Sequence, residues 1–159
     1  MVLPGHLALK LIEGATNAEA QEQPAGVDLT VRQVFGFKSG GTLGVNDKKL
    51  PETVEIPPEG SKWRLGPGAY KIVYNEIVSV PEDHVGLCFP RSTLLRMGAT
   101  VECAVWDPGY KGRGSSLLLV LNPSGIAIER GSRIVQIVFI KVQERSRKAY
   151  SGAYQHENI

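Results

Sequence analysis

Four short segments carry side chains able to do chemistry. Pro90-Arg91-Ser92-Thr93-Leu94 sets a guanidinium, two hydroxyls and free backbone N–H groups at the start of a helical turn, where anions are favoured. Serine and threonine in that place also serve as ordinary helix caps. Trp106-Asp107-Pro108-Gly109-Tyr110 sets a carboxylate, a group able to take a proton, at a hairpin corner with an aromatic ring three residues later. A plain turn has the same pattern. Ala25-Gly26-Val27-Asp28-Leu29 puts a second acid beside a glycine at a strand start, and Gly131-Ser132-Arg133-Ile134-Val135-Gln136 puts two long polar groups into an otherwise apolar strand. Each segment falls where a strand begins or ends.

Several other chemistries lack their residues. There is no Gly-x-x-x-x-Gly-Lys-Ser/Thr loop, no Gly-x-Ser-x-Gly elbow and no His-Glu-x-x-His. The His-x-Glu with Pro-Cys-x-x-Cys set that activates zinc-bound water is missing too. His6, His84 and His156 are far apart and read as surface or satisfied histidines. Cys88 and Cys103 have no Cys-x-x-Cys spacing and read as two buried, reduced thiols rather than a disulfide or metal pair.

The elements that must position these segments are mostly strands. With 18 glycines and 10 prolines in 159 residues, the chain is rich in turns. His6 to Glu13 predicts a short helix, with Leu7/Leu11 and Ala8/Ile12 four residues apart and Gly14 as its stop. Ala15 to Gln23 reads as a loop. Val27 to Phe37 alternates, with Val27, Leu29 and Val31 on one side and Asp28, Thr30 and Arg32 on the other. Thr42 to Lys49 has no clear pattern. Short strands follow at Thr53–Ile56, Lys62–Leu65, Ala69–Tyr74, Ile77–Val80 and Val85–Phe89, then a helical turn around Leu94–Met97. Thr100–Trp106, Ser116–Leu121, Ile126–Ile128 and Arg133–Val142 complete the set. Such spacing predicts an all-β sandwich or barrel in one domain, residues 1–143. Residues 144–159 lose the apolar pattern and read as a mobile tail. The formal charge of +2 does not suggest stable nucleic-acid binding. No apolar stretch nears the roughly 20 residues of a membrane span, and no signal segment opens the chain, so a soluble cytoplasmic protein is expected.

In this order, the four segments closely resemble the motifs of the deoxyuridine triphosphatase (dUTPase) and dCTP deaminase superfamily. The N-terminal helix, Gln23-Pro24-Ala25-Gly26-Val27-Asp28-Leu29, Asp107-Pro108-Gly109-Tyr110 and Tyr150-Ser151-Gly152-Ala153-Tyr154-Gln155 resemble its deaminase branch, which includes archaeal dUTPases. The resemblance implies a distorted β jelly roll assembled as a homotrimer, with dUTP bound where subunits meet. Asp107 and Tyr110 would come from one subunit, Ser92 and Gln136 from its neighbour. The branch holds two reactions. Its deaminases use a glutamate on the strand after the hairpin, and the matching position here is Leu119 in the acid-free run Ser115–Leu121. Glu102 and Glu129 lie elsewhere. The resemblance therefore favours hydrolysis of dUTP to dUMP and pyrophosphate over dCTP deamination or a bifunctional enzyme, and further still over a non-catalytic nucleotide-binding jelly roll.

On that resemblance Asp107 is the general base, expected to be partly desolvated by Trp106 and Pro108, and Tyr110 packs under the deoxyribose. Arg91, Ser92, Thr93 and Arg96 hold phosphates, and Gln136 is a polar anchor near them. Arg133 is a structural ion pair or a ligand. Asp28 orders the site through hydrogen bonds and magnesium-bound water, with Mg²⁺ held mostly by the substrate. The glycine-rich arm of other trimeric dUTPases is missing. The tail with Tyr154 stands in its place as a lid over the base or, alternatively, a solvated segment.

Overall fold

The computed structural model describes residues 1–159, and in it the closely spaced turn signals separate fifteen strands and three short α-helices. In chain order the elements are α1 (Gly5–Ala8) with a 3-10 turn at Leu9–Leu11, β1 (Ile12–Glu13), α2 (Ala18–Gln21), β2 (Glu22–Gln23) and β3 (Gly26–Phe37). Next come β4 (Thr42–Leu43), β5 (Lys48–Lys49), β6 (Thr53–Glu55), β7 (Lys62–Leu65), β8 (Gly68–Tyr74), β9 (Ile77–Ser79) and β10 (His84–Pro90). The chain ends with α3 (Ser92–Arg96), β11 (Ala99–Glu102), β12 (Lys111–Gly112), β13 (Ser115–Val120), β14 (Ile126–Glu129) and β15 (Arg133–Lys141).

The main sheet runs β10-β15-β3-β8-β13-β11, antiparallel throughout. Its two edges approach each other, because Gly86 in β10 bridges Trp106 just beyond β11 through reciprocal N–H···O bonds of 2.9 and 3.0 Å. The sheet is therefore nearly closed, which leaves few unpaired edges. The pairs β7/β14 and β4/β5 and the group β1-β9-β12 lie outside it. The core holds Leu29, Val31, Ile72, Leu118, Ile137 and Phe139, all at 0% exposure. Truncating such a side chain to alanine costs about 2–5 kcal/mol.

Most strands fall where the sequence puts them, with four differences. The first helix stops at Ala8, and Ile12–Glu13 pairs instead with Ile77–Val78. A helix this short is marginal, and satisfying the edge of β9 outweighs lengthening it. Ala15–Gln23, read as loop, contains α2, capped by Asn17 Oδ1 accepting the Ala20 N–H at 3.1 Å. The strand predicted to Trp106 ends at Glu102, and the unplaced Thr42–Lys49 forms the small β4/β5 hairpin. Cys88 and Cys103 are free but half-buried, and the Ser116 hydroxyl donates to Cys103 Sγ at 3.2 Å.

Strand β3 is buried on both faces from Val27 to Val31, so its polar side meets protein as well. Gly26, at φ +145°, makes this possible, since a Cβ there would lie 3.0 Å from the Ile137 carbonyl carbon. Gly26→Ala should lower the unfolding free energy by about 2 kcal/mol or more, read from denaturant midpoints. A loss below a few tenths would show that β3 can shift freely against β15.

Candidate active site

Three adjacent strands align the first group of site residues. Asp28 in β3 lies opposite Gln136 in β15, and Gln136 lies opposite Phe89 near the end of β10. The register slips between Arg133 and Val135, where Arg133 comes opposite Thr30. Asp28 Oδ2 forms an ion pair with Arg91, 3.0 Å from its Nε, and accepts a hydrogen bond from Arg133 Nη1 at 3.3 Å. Arg133 Nη1 also donates to the Ala20 carbonyl. Arg133 is thus tied to both α2 and β3. Asp28 is 1% exposed, and its Oδ1 is buried with no hydrogen-bond partner. Burial pushes its carboxyl above the ordinary aspartate value, while the two guanidiniums pull it back.

Arg91 itself occupies the cap position of α3 in extended conformation, and no side chain caps the helix. Ser92 and Thr93 are therefore not its cap, and they and Arg96 are exposed. A cavity of about 400 Å³ is lined by Arg91, Thr93, Leu94, Ser132 and Arg133, among others.

The second group gathers at the Asp107–Gly109 turn. The Tyr110 N–H donates to the Asp107 carbonyl at 3.0 Å, and Val80 and this turn exchange bonds of 2.8 and 3.0 Å. Trp106 is buried and meets Tyr110 edge-on, with ring centroids 5.2 Å apart. Gly114 leaves room for the indole, since a Cβ there would come within 2.8 Å of Trp106 Cζ2. Asp107 is exposed, so the expected desolvation is absent. The apolar neighbour Trp106 turns its ring toward the core while Asp107 faces out.

The C-terminal tail, read from sequence as lacking a packing pattern, runs back over this turn. The Tyr150 N–H donates to Pro108 O at 2.8 Å, and Gln155 bonds both Lys111 N at 2.9 Å and Gly109 O at 3.0 Å. The Tyr110 hydroxyl donates to Glu157 Oε1 at 3.0 Å, and the Tyr150 ring lies 5.6 Å from Tyr110. These are polar and edge-on contacts, which hydrophobic periodicity does not register. Burial and the Glu157 carboxylate push the Tyr110 phenol well above its ordinary value, and burial raises Glu157.

A cavity of about 400 Å³ is lined by Lys71, Trp106, Asp107, Tyr110, Tyr154 and Glu157, among others. The Tyr154 ring is partly exposed, with Lys48 Nζ 4.9 Å from its centroid. Lys71 and Glu157 were not legible as site residues, the one lying inside an ordinary strand run and the other in the tail. The two cavities share no lining residue. The single chain thus gathers Asp107, Tyr110 and Tyr154 around one space and Arg91, Thr93 and Arg133 around another. Phe89 and Val105, close in sequence to the two groups, are 54% and 55% exposed.

Leu119 pairs with Thr100 and Ala69 in β13, a strand without any acid. Neither Glu102 nor Glu129 lines the Asp107 cavity, and Glu129 accepts from Ser61 on the β7/β14 side.

A family model described as dCTP deaminase-like matches residues 5–142. A protein of Aeropyrum pernix named "Probable deoxyuridine 5'-triphosphate nucleotidohydrolase" is 48% identical over 151 residues, covering 95% of this chain and 94% of its own. One of the same name from Methanococcoides burtonii is 40% identical, covering 94% of this chain and 89% of its own. Among solved structures, the 2'-deoxycytidine 5'-triphosphate deaminase of Agrobacterium tumefaciens shares the fold, with a TM-score of 0.66 at 19% identity. That match covers 87% of this chain, which spans about half (47%) of the deaminase.

The contacts across the turn predict the effect of removing the tail. A chain ending at Lys148 should stay folded but expose Tyr110 and the edge of Trp106, while Trp63, 2% exposed, keeps its surroundings. Tryptophan emission should shift to the red with little change in melting temperature. Unaltered emission would mean that the tail does not shield Trp106 in solution.

Proposed function

The chain belongs to the dCTP deaminase-like family, and we propose that it is a dUTP diphosphatase, hydrolysing dUTP to dUMP and pyrophosphate. The observation that carries this reading is the cavity shared by Asp107 and Tyr110, set beside a β13 strand with no acid able to shuttle protons for deamination. The relatives named as nucleotidohydrolases, at 48% and 40% identity, support it.

Asp107 takes the proton of a water as that oxygen attacks the α-phosphorus in line. The new P–O bond forms, the bond to the bridging oxygen breaks, and pyrophosphate leaves with the electron pair. Because Asp107 is exposed in the protomer, its water must be shielded by substrate, tail and neighbouring chain together. The Tyr110 ring lies against the deoxyribose and leaves no space for a 2′-hydroxyl. Arg91, Ser92, Thr93 and Arg96 receive the triphosphate, and Gln136 anchors it. Arg133 serves as scaffold, and Asp28 holds Arg91 through Nε, which leaves the outer guanidinium nitrogens for phosphate oxygens. Tyr154 and the tail form the lid.

Magnesium fits this arrangement through the orphaned Asp28 Oδ1, a hard, buried acceptor that a metal-bound water can satisfy. When bound with the triphosphate, the ion supplies charge neutralisation at the phosphate oxygens. The separation of the two cavities and the exposure of Phe89 and Val105 support a homotrimer of distorted jelly rolls whose sites form between subunits. No helix is long and apolar enough to cross a membrane, and the two free thiols suit a cytoplasmic enzyme.

Incubation with dUTP, dCTP and UTP, with pyrophosphate and ammonia assayed separately, tests the reaction. Pyrophosphate should come from dUTP, with UTP poorer by roughly a hundredfold, and no ammonia from dCTP. Asp107→Asn should lower kcat by on the order of 10²–10⁴ while a non-hydrolysable dUTP analogue still binds. Ammonia release, or a variant keeping a few tenths of normal turnover, would overturn the assignment.

The shared site has its own test. Asp107→Asn and Ser92→Ala homotrimers should each be impaired. Co-refolded mixtures should regain activity, because about a quarter of sites then draw an intact residue from each of two subunits. No recovery in mixtures confirmed as trimers by light scattering would mean that each site is built within one chain.

A further inference from the structure

Behind the Asp28 cluster sits a second buried acid that the mechanism above leaves unused. Glu76, in the turn between β8 and β9, is 0% exposed. Its Oε2 accepts the Thr30 N–H at 2.9 Å, and its Oε1 accepts the Thr30 hydroxyl at 2.6 Å and Gln21 Nε2 at 2.8 Å. Gln21 Nε2 also donates to the Asp28 carbonyl at 2.8 Å. Gln21 Oε1 in turn accepts the Asn17 N–H at 2.9 Å and the Thr16 hydroxyl at 3.2 Å, which fixes the amide at its far end.

All three donors to Glu76 are neutral, and burial raises its carboxyl above the ordinary glutamate value. A buried acid in such a place adds less to stability than a well-packed apolar residue would. What it provides is direction. One carboxylate fixes the main chain two residues after Asp28 and, through Gln21, the Asp28 carbonyl itself. Arg133 grips the same small helix at Ala20 O while pairing with Asp28, so one guanidinium ties α2 to β3.

We propose that Glu76 is a positioning residue for the triphosphate: through Gln21 and Thr30 it sets the backbone of Asp28, and thereby the angle at which Asp28 presents Arg91. The proposal rests on the reading of the Asp28–Arg91 cluster as the phosphate half of the dUTP site. Glu76→Gln keeps the size but turns an NH₂ group toward donors.

In the full-length protein this variant should raise KM for dUTP on the order of tenfold, with kcat changed by no more than about threefold. Its affinity for inorganic tripolyphosphate, measured by calorimetry, should fall by a similar factor. Combined with Asp28→Asn, it should add little to the loss that Asp28→Asn causes alone, because both act through one carboxylate. Val34→Ala, in the same strand but remote from the cluster, should lose stability and keep its KM. An unchanged KM in Glu76→Gln, additive losses in the double variant, or an equal KM rise in Val34→Ala would each overturn the proposal. If Glu76→Gln does not fold, Gln21→Met removes the bridge alone and should raise KM in the same way, and an unchanged KM there overturns it. If the parent releases no pyrophosphate from dUTP, the proposed reaction fails, yet tripolyphosphate affinity still decides the role of Glu76. A parent that neither hydrolyses dUTP nor binds tripolyphosphate overturns both.

Discussion

A carboxylate removed from water has to be met by other charges, and Asp28 is met by two guanidiniums that start from different parts of the chain. Arg91 stands at the end of β10 and Arg133 at the start of β15, so the ion pairs hold together three neighbouring strands of the main sheet. Removing the acid would leave two partly buried cations facing each other, a far larger loss than the net value of the pairs. Asp28 Oδ1 remains without a donor. A buried acceptor left open in this way is uncommon, and on the proposed reading it is where a metal-bound water would be received.

The Asp107 side of the molecule follows a different principle. Trp106, Tyr110 and Tyr150 stack edge to face, an arrangement worth about 0.5–1.5 kcal/mol per aromatic pair beyond burial. This stack stiffens the turn, so the exposed Asp107 projects from a rigid base rather than a free loop. The Tyr110 hydroxyl and the main chain of the turn give the tail its footing, through Glu157 and Gln155 respectively. Contacts that are mostly hydrogen bonds at a half-buried surface open at lower cost than a core contact does. A segment held in this way suits a proposed lid, because it has to release product as well as cover substrate.

Much of this was legible in the sequence because alternation and turn residues report directly on strands. Val27 to Phe37, Lys62 to Leu65 and Arg133 to Lys141 fall within a residue of expectation. Three of the four polar segments lie on the elements expected for them, whereas Asp107 stands in a turn that is no hairpin corner, because β11 and β12 on either side pair with β13 and β9 rather than with each other. What was not legible depends on contacts between distant residues. Asn17 could have been read as a helix cap, but nothing local announces that Gln21 bonds Glu76, 55 positions away. Burial of Asp28 and Thr30 was hidden for the same reason, since alternation tells which residues share a face and not what covers that face. Ser92 shows the reverse case, in which a residue suited to capping leaves the cap position to Arg91.

The division of the candidate site into two cavities follows from the nearly closed sheet. Asp28 and Arg91 belong to the β3, β10 and β15 side, whereas Asp107 follows β11, the strand at the other end of the sheet order. The Gly86–Trp106 bridge brings those ends together, but β10 then runs on from Gly86 to Arg91 while the segment after β11 turns away at Asp107. An extended strand advances about 3.3 Å per residue, so the five residues from Gly86 to Arg91 carry the guanidinium roughly 16 Å along the sheet. If Asp107 is the general base and Arg91 part of the phosphate clamp, as proposed, that advance leaves them lining separate cavities of one chain. A second copy can supply the missing half without bending either sheet. On the proposed reading, assembly is therefore a requirement of the chemistry, set by where the sheet closes.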